Sequence, residues 1–103
     1  MTPEQLTVLS VDVLNYLDVT WDDPALETKL MGITKRGMAY LDGIAGITVD
    51  YSIEGNGRAL LFDYIRYVRS NSLGDFAINY LHELLTFQIG NEVAAYVSTL
   101  PIV

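Results

Sequence analysis

The chain contains no cysteine, which excludes disulfides, thiolate chemistry and cysteine-ligated zinc and suits a reducing cytoplasm. It has one histidine, His82, and few bases: six Lys and Arg against thirteen Asp and Glu leave a net charge of −7. That balance disfavours non-specific attraction to nucleic acid or to an anionic membrane surface. No stretch approaches the roughly 18 uninterrupted apolar residues of a membrane helix. The opening "MTPEQL" lacks the basic region and the apolar run of a secretory leader, so none is expected. The composition points to a soluble intracellular protein with no membrane partner.

What is present is apolar material. Half of the 103 residues are hydrophobic and 18% are charged, too apolar for a disordered chain and enough for one modest core. A single domain over residues 1–103 is expected, without internal repeats or low-complexity segments. Thr2, Pro3 and Gln5 form a helix start, with Thr2 as N-cap, Pro3 in the first helical position and Gln5 closing a capping box. Leu6, Leu9, Val13, Leu14 and Leu17 follow at helical spacing, predicting a first helix over 3–17. Asp22 and Asp23 then offer carboxylates to free amides ahead of Pro24. Leu26, Leu30, Ile33, Tyr40 and Leu41 carry a second helix to about residue 42.

The segment "GIAGITVDYSIEGNG" is rich in glycine and β-branched residues, and reads as a loop that includes at most a short extended segment. Helical period resumes from Gly57 to about Ser70. "SNS" and Gly74 interrupt it, and Phe76, Ala77, Tyr80, Leu81, Leu84 and Leu85 predict a fourth helix to about Ile89. The fold class is therefore all-α: a small four-helix, bundle-like domain with a C-terminal tail from about residue 91. Its predicted core is Leu14, Leu30, Ile33, Leu61, Ile65, Leu81 and Leu84. The tail, "NEVAAYVSTLPIV", reads equally as a helical turn, a strand or a loose end, and Pro101 stops any helix before it.

Motifs with chemistry are sparse. "HELLT" begins like a zinc-binding HExxH, but Thr86 holds the place of the second ligand and no other histidine exists. No serine stands in a G-x-S-x-G context, and "EGNGR" lacks the lysine and the Ser or Thr of a phosphate-binding loop. Asp22 and Asp23 are explained by capping. The expectation is a protein without catalytic residues, cofactor or metal, and not an enzyme.

"LLFDYIRYVRSNSLGDF" is the informative stretch. At about 100° per residue, Leu60, Leu61, Tyr64, Ile65 and Val68 share an arc of roughly 140°, the core face. Phe62 falls outside it, near Arg66 and Arg69, with Asp63 and Tyr67 on the remaining flank. Arginine and aromatic residues are enriched at protein interfaces. Two readings stay open for Phe62: it packs under the loop at 43–57 or against the first helix, or it contacts another subunit. The candidate contact residues are Phe62, Arg66, Tyr67 and Arg69, joined by Tyr96 and Ile102 from the tail, whose residues 94–103 carry no charged side chain and either fold back on the bundle or reach a neighbour.

The segments "VTWDDPALETKLMGITKRGMAYLDGIAG" and "LLFDYIRYVRSNSLGDFAINYLHELLTFQI" resemble the head-tail connector (head completion) proteins of long-tailed bacteriophages and of prophages of Gram-positive hosts. The resemblance spans roughly residues 8 to 90. It is carried by Trp21-Asp22-Asp23, by the helix end from Tyr40-Leu41 to Gly46, by Asp63-Tyr64 through Asn71, and by Glu83-Leu84-Leu85. It implies an α-helical structural subunit of a homo-oligomeric, dodecamer-like ring beneath the portal protein of a DNA-filled capsid. Such a ring extends the DNA channel, with DNA only as passing cargo, and receives a stopper or tail-completion protein. The implied place is the head-tail interface of the virion, after assembly in the host bacterial cytoplasm. A small cytosolic regulatory or antitoxin-like helical module, binding one partner through the same tyrosine and arginine residues, is the alternative.

Overall fold

A computed structural model describes residues 1–101, and among these five helices and no strand are present. They are α1 (Pro3–Tyr16), α2 (Pro24–Ala45), α3 (Asn56–Arg69), α4 (Leu73–Asn79) and α5 (Leu81–Ser98). The all-α class read from the sequence is the class observed. No helix among the described residues is long and apolar enough to cross a membrane.

The first two starts form as their local chemistry dictates. The Thr2 hydroxyl accepts from the Gln5 amide at 3.1 Å while the Gln5 side chain accepts from the Thr2 amide at 2.9 Å, so two amides that the helix cannot pair internally are satisfied reciprocally. Asp23, not Asp22, caps α2, its carboxylate accepting from the Leu26 amide at 3.2 Å with Pro24 in the first turn. α2 runs to Ala45, beyond the expected end near 42, and stops at Gly46, whose φ of 74° is the left-handed conformation glycine adopts without steric cost.

α2 is the spine. α3, α5 and α1 pack on it, and α4 bridges α3 to α5. The closest approach is at Gly37, where a Cβ would meet Tyr64 Cδ1 at 2.7 Å and Leu61 Cδ1 at 2.8 Å. Around this crossing lie Leu30, Ile33, Leu41, Leu60, Leu61, Tyr64 and Ile65, with Leu9 and Val13 from α1 and Leu84 and Phe87 from α5. Five of the seven predicted core residues are buried there. Leu14 is only half-buried, packed at the edge. Leu81 is 58% exposed.

The predicted fourth helix is in fact two. "SNS" does interrupt the chain, with Asn71 at a φ of 56°, but Gly74 lies inside α4. A kink at Tyr80 then separates α4 from α5, with Tyr80 N–H bonded back to Phe76 O at 2.9 Å and Leu84 N–H to Tyr80 O at 2.8 Å. No glycine or proline marks this kink. Phe76 is buried against the rings of Tyr64, Tyr67 and Tyr80 at centroid distances of 5.6, 5.6 and 4.8 Å, so packing sets the bend. The tail is helical to Ser98. The segment between α2 and α3 has no strand; it is pinned by Asp42, whose carboxylate accepts from Val49 N–H at 3.1 Å and from the Tyr51 hydroxyl at 2.7 Å.

The molecule measures 54 × 32 × 17 Å with a radius of gyration of 15.0 Å, against about 13 Å for a compact domain of this length. The excess comes from α5. Phe87 lies beside Gly57 at the start of α3, and the eleven residues from there to Ser98 continue for about 16 Å at the helical rise, with every residue from Glu92 to Pro101 exposed.

Gly37→Ala is expected to destabilise the fold by about 1 to 3 kcal/mol through overpacking, despite the helix propensity gained. Gly32→Ala, on the same helix with no atom within 4 Å of the added Cβ, is expected to stabilise by about 0.5 to 1 kcal/mol. Denaturant unfolding of the two variants measures both; equal effects of the same sign would contradict the close approach.

Candidate interaction surface

Among the described residues no group of three or more His, Cys, Asp or Glu side chains is placed to hold a metal ion. His82 is exposed on the first turn of α5, over a shallow depression it shares with Asn56, Asp63, Tyr80, Glu83 and Thr86.

The α3 residues singled out from the sequence go to different neighbours. Phe62 is half-buried against α1, its ring 5.3 Å from that of Tyr16 and tilted by 46°. On its other side the Arg58 guanidinium stands 4.9 Å from the ring centroid. Within the chain, Phe62 packs on the first helix, as one of its readings expected. Arg58, with its side chain only 12% exposed, pairs with Asp12 of α1 at 2.6 Å, donates to the Tyr51 carbonyl at 3.2 Å and lies 3.5 Å from Glu54. One cation thus ties α1 and the α2–α3 loop to α3. The sequence reading passed over it because nothing local distinguishes a buried arginine from a solvated one.

Arg66 is exposed one turn beyond Phe62, beside Tyr16. The Tyr16 hydroxyl donates to Asp63 at 2.7 Å. Burial, and then this carboxylate, push the Tyr16 phenol above its ordinary value. Tyr67 is half-buried on the opposite flank, its ring edge-on to Phe76 and Tyr80 and its hydroxyl accepting from Asn79 at 3.1 Å. Arg69 is exposed at the end of α3. Tyr96 is 65% exposed on the projecting part of α5, far from all of these. Ile102 lies outside the described residues. The five that are described therefore do not converge on one patch.

The larger exposed apolar surface is one the sequence reading did not single out. Along α5, Leu84 and Phe87 face the core, while Leu81, Leu85, Ile89, Val93, Tyr96 and Leu100 follow at three- and four-residue spacing on the other side, all exposed. Val97 widens this stripe. Between Val93 and Pro101 no side chain is charged. A signal was available: two apolar faces on one helix. The sequence reading placed both Leu81 and Leu84 in the core; past the kink at Tyr80, α5 buries Leu84 together with Phe87 and leaves Leu81 exposed. Soluble monomers seldom leave so continuous an apolar strip in water.

A second apolar feature is an unfilled groove of about 620 Å³ between α1 and the first half of α2. Its floor includes Val11, Leu14, Met31 and Gly32, and Glu27 and Lys35 stand among its lining.

No protein-family model matches the chain, and neither does any curated protein or solved structure.

Three of the seven tyrosines have raised phenols. Burial and then the Asp42 hydrogen bond raise Tyr51 far above the ordinary range. Burial and then the charge of Asp63 push Tyr80 up to about 12. A phenol whose folded-state pKa is raised contributes stability that is complete below the unfolded value of about 10 and is lost as pH rises through the folded value. Stability is therefore expected to fall between about pH 10 and 12, and Tyr80→Phe should flatten that fall. Denaturation followed from pH 8 to 12 tests this, since an unaltered alkaline slope in the variant would remove Tyr80 from the account.

Proposed function

We propose that the chain is a structural subunit of a phage or prophage head-tail connector. In this reading copies associate into a ring under the portal of the DNA-filled capsid, extend the channel and present a surface to a stopper or tail-completion protein at the head-tail interface of the virion. The observation that carries it is the uncharged apolar stripe of α5 on a domain whose other large side chains are mostly used in its own packing. A surface of that kind suits lasting association with protein rather than transient contact with a small solute. The resemblance over residues 8 to 90 supplies the identity of the assembly.

Charge is consistent with the role. A conduit for DNA works against itself if its wall is basic, because each phosphate neutralised by a lysine or arginine adds to binding. A subunit with net charge −7 lets the polymer pass. Nothing in the reading requires a catalytic group or a cofactor.

Two outcomes check it. Phage lacking the gene should accumulate DNA-filled heads without tails in electron micrographs, and purified protein added to such heads should restore tail joining; normal tailed particles from the deletion would end the proposal. Removing residues 94–103 should alter the unfolding free energy by less than about 0.5 kcal/mol, since residues 94–101 are exposed, while abolishing that restoration.

A further inference from the structure

Two apolar features of this chain are left unsatisfied, and they lie toward opposite ends of α2. The projecting part of α5 passes beyond the loop that follows the C-terminus of α2, where Phe87 and Asn91 adjoin that loop. The groove lies between α1 and the first half of α2, with Ser10 facing Met31. One is a convex, apolar helix; the other is a concave, apolar trough between two helices. Neither can reach the other within one chain.

We propose that the projecting end of α5 of one copy seats in the α1–α2 groove of the next, so that the chain associates head to tail with itself. This rests on the reading that copies assemble, and it names the contact. Three observations favour a second copy as the occupant. The first is charge. The end of α5 has no basic residue in its last turn, and its last charged side chain is Glu92, so the negative end of the helix dipole is uncompensated. The groove presents Lys35, and Lys29 and Arg36 on the same helix bring α2 to three of the six basic residues. Glu27 is the one acid on its lining.

The second observation is Gly32. A glycine in a helix interior is unfavourable relative to alanine, and this one has no atom within 4 Å of where a Cβ would stand. Packing within the chain does not require it. It keeps the floor of the groove open, which is what a seated helix needs. The third is the geometry of the contact: convex on one patch and concave on another, it is heterologous, and repetition of a heterologous contact generates rings when the rotation closes and filaments when it does not.

The test uses the full chain and two classes of variant. Gly32→Leu fills the groove, with Val11→Glu, an exposed change on its α1 side, as a second groove variant. Val93→Lys/Tyr96→Lys breaks the stripe at two exposed positions. Sedimentation equilibrium of the unaltered protein should show mass rising with concentration above the 11.5 kDa of one chain. Each variant alone should stay at one chain with an unchanged circular dichroism spectrum. An equimolar mixture of a groove variant and the stripe variant should form a two-chain species, because one supplies an intact α5 and the other an intact groove.

If the unaltered protein associates but the groove variants associate equally well, the contact lies elsewhere; this inference then falls while assembly stands. If the mixture yields no two-chain species, it falls likewise. If the unaltered protein remains one chain at millimolar concentration, the inference and the reading of self-assembly beneath it both fail.

Discussion

The close approach of α2 and α3 at Gly37 is the constraint on which the rest of the packing depends. With no side chain at that position, Leu61 and Tyr64 lie against the α2 backbone. That brings the ring of Tyr40 into a stacked arrangement with Tyr64 at 5.5 Å. Tyr64 meets Phe76 in a T-shaped pair at 5.6 Å, and Phe76, buried, holds α4 against α3. Tyr80 follows Phe76 by one turn and marks the kink. The direction in which α5 leaves the domain is therefore set, through four aromatic rings, by a missing methyl group. Packed interiors transmit displacements in this way because they have little free volume in which to absorb them.

Polar groups do a different job in this fold, fixing segments that hydrophobic burial alone would leave loosely placed. Asp42 holds the α2–α3 loop through Val49 and Tyr51, and Tyr51 is fully buried by that arrangement, its hydroxyl also 3.2 Å from the Met38 carbonyl. Arg58 collects Asp12, the Tyr51 carbonyl and the face of Phe62. Every buried side-chain nitrogen and oxygen among the described residues has a hydrogen-bond partner. Such satisfaction matters more than the modest net stabilisation of each bond, since an orphaned buried group costs about 1 to 3 kcal/mol.

α5 is where folding and assembly make competing demands. Its core face needs only Leu84 and Phe87, yet the helix keeps an apolar side chain at nearly every turn of the opposite face, and Leu100 continues the series just past its end. Each is about half covered, and completing its burial would contribute on the order of 1 kcal/mol. A monomer gains none of this. A contact that covers the stripe gains most of it, less the freedom lost on association. The same helix thus ends one core and offers the start of another.

Local chemistry was legible without a structure. The capping box of Thr2 and Gln5, the start at Asp23 and Pro24 and the helical class of the whole chain depend on backbone hydrogen bonds and φ angles within a few residues, and the sequence determines these by itself. The faces of α2 and α3 were legible too, because each has one apolar arc. Where a helix carries two, or a ring has several neighbours to choose from, periodicity cannot decide. Tertiary packing alone placed Phe62 on Tyr16, joined Arg58 to Asp12 and the Tyr51 carbonyl, bent the chain at Tyr80 and turned Leu81 outward in favour of Phe87. Those outcomes depend on contacts between residues tens of positions apart, whose energies compare whole arrangements and leave no local mark in the sequence.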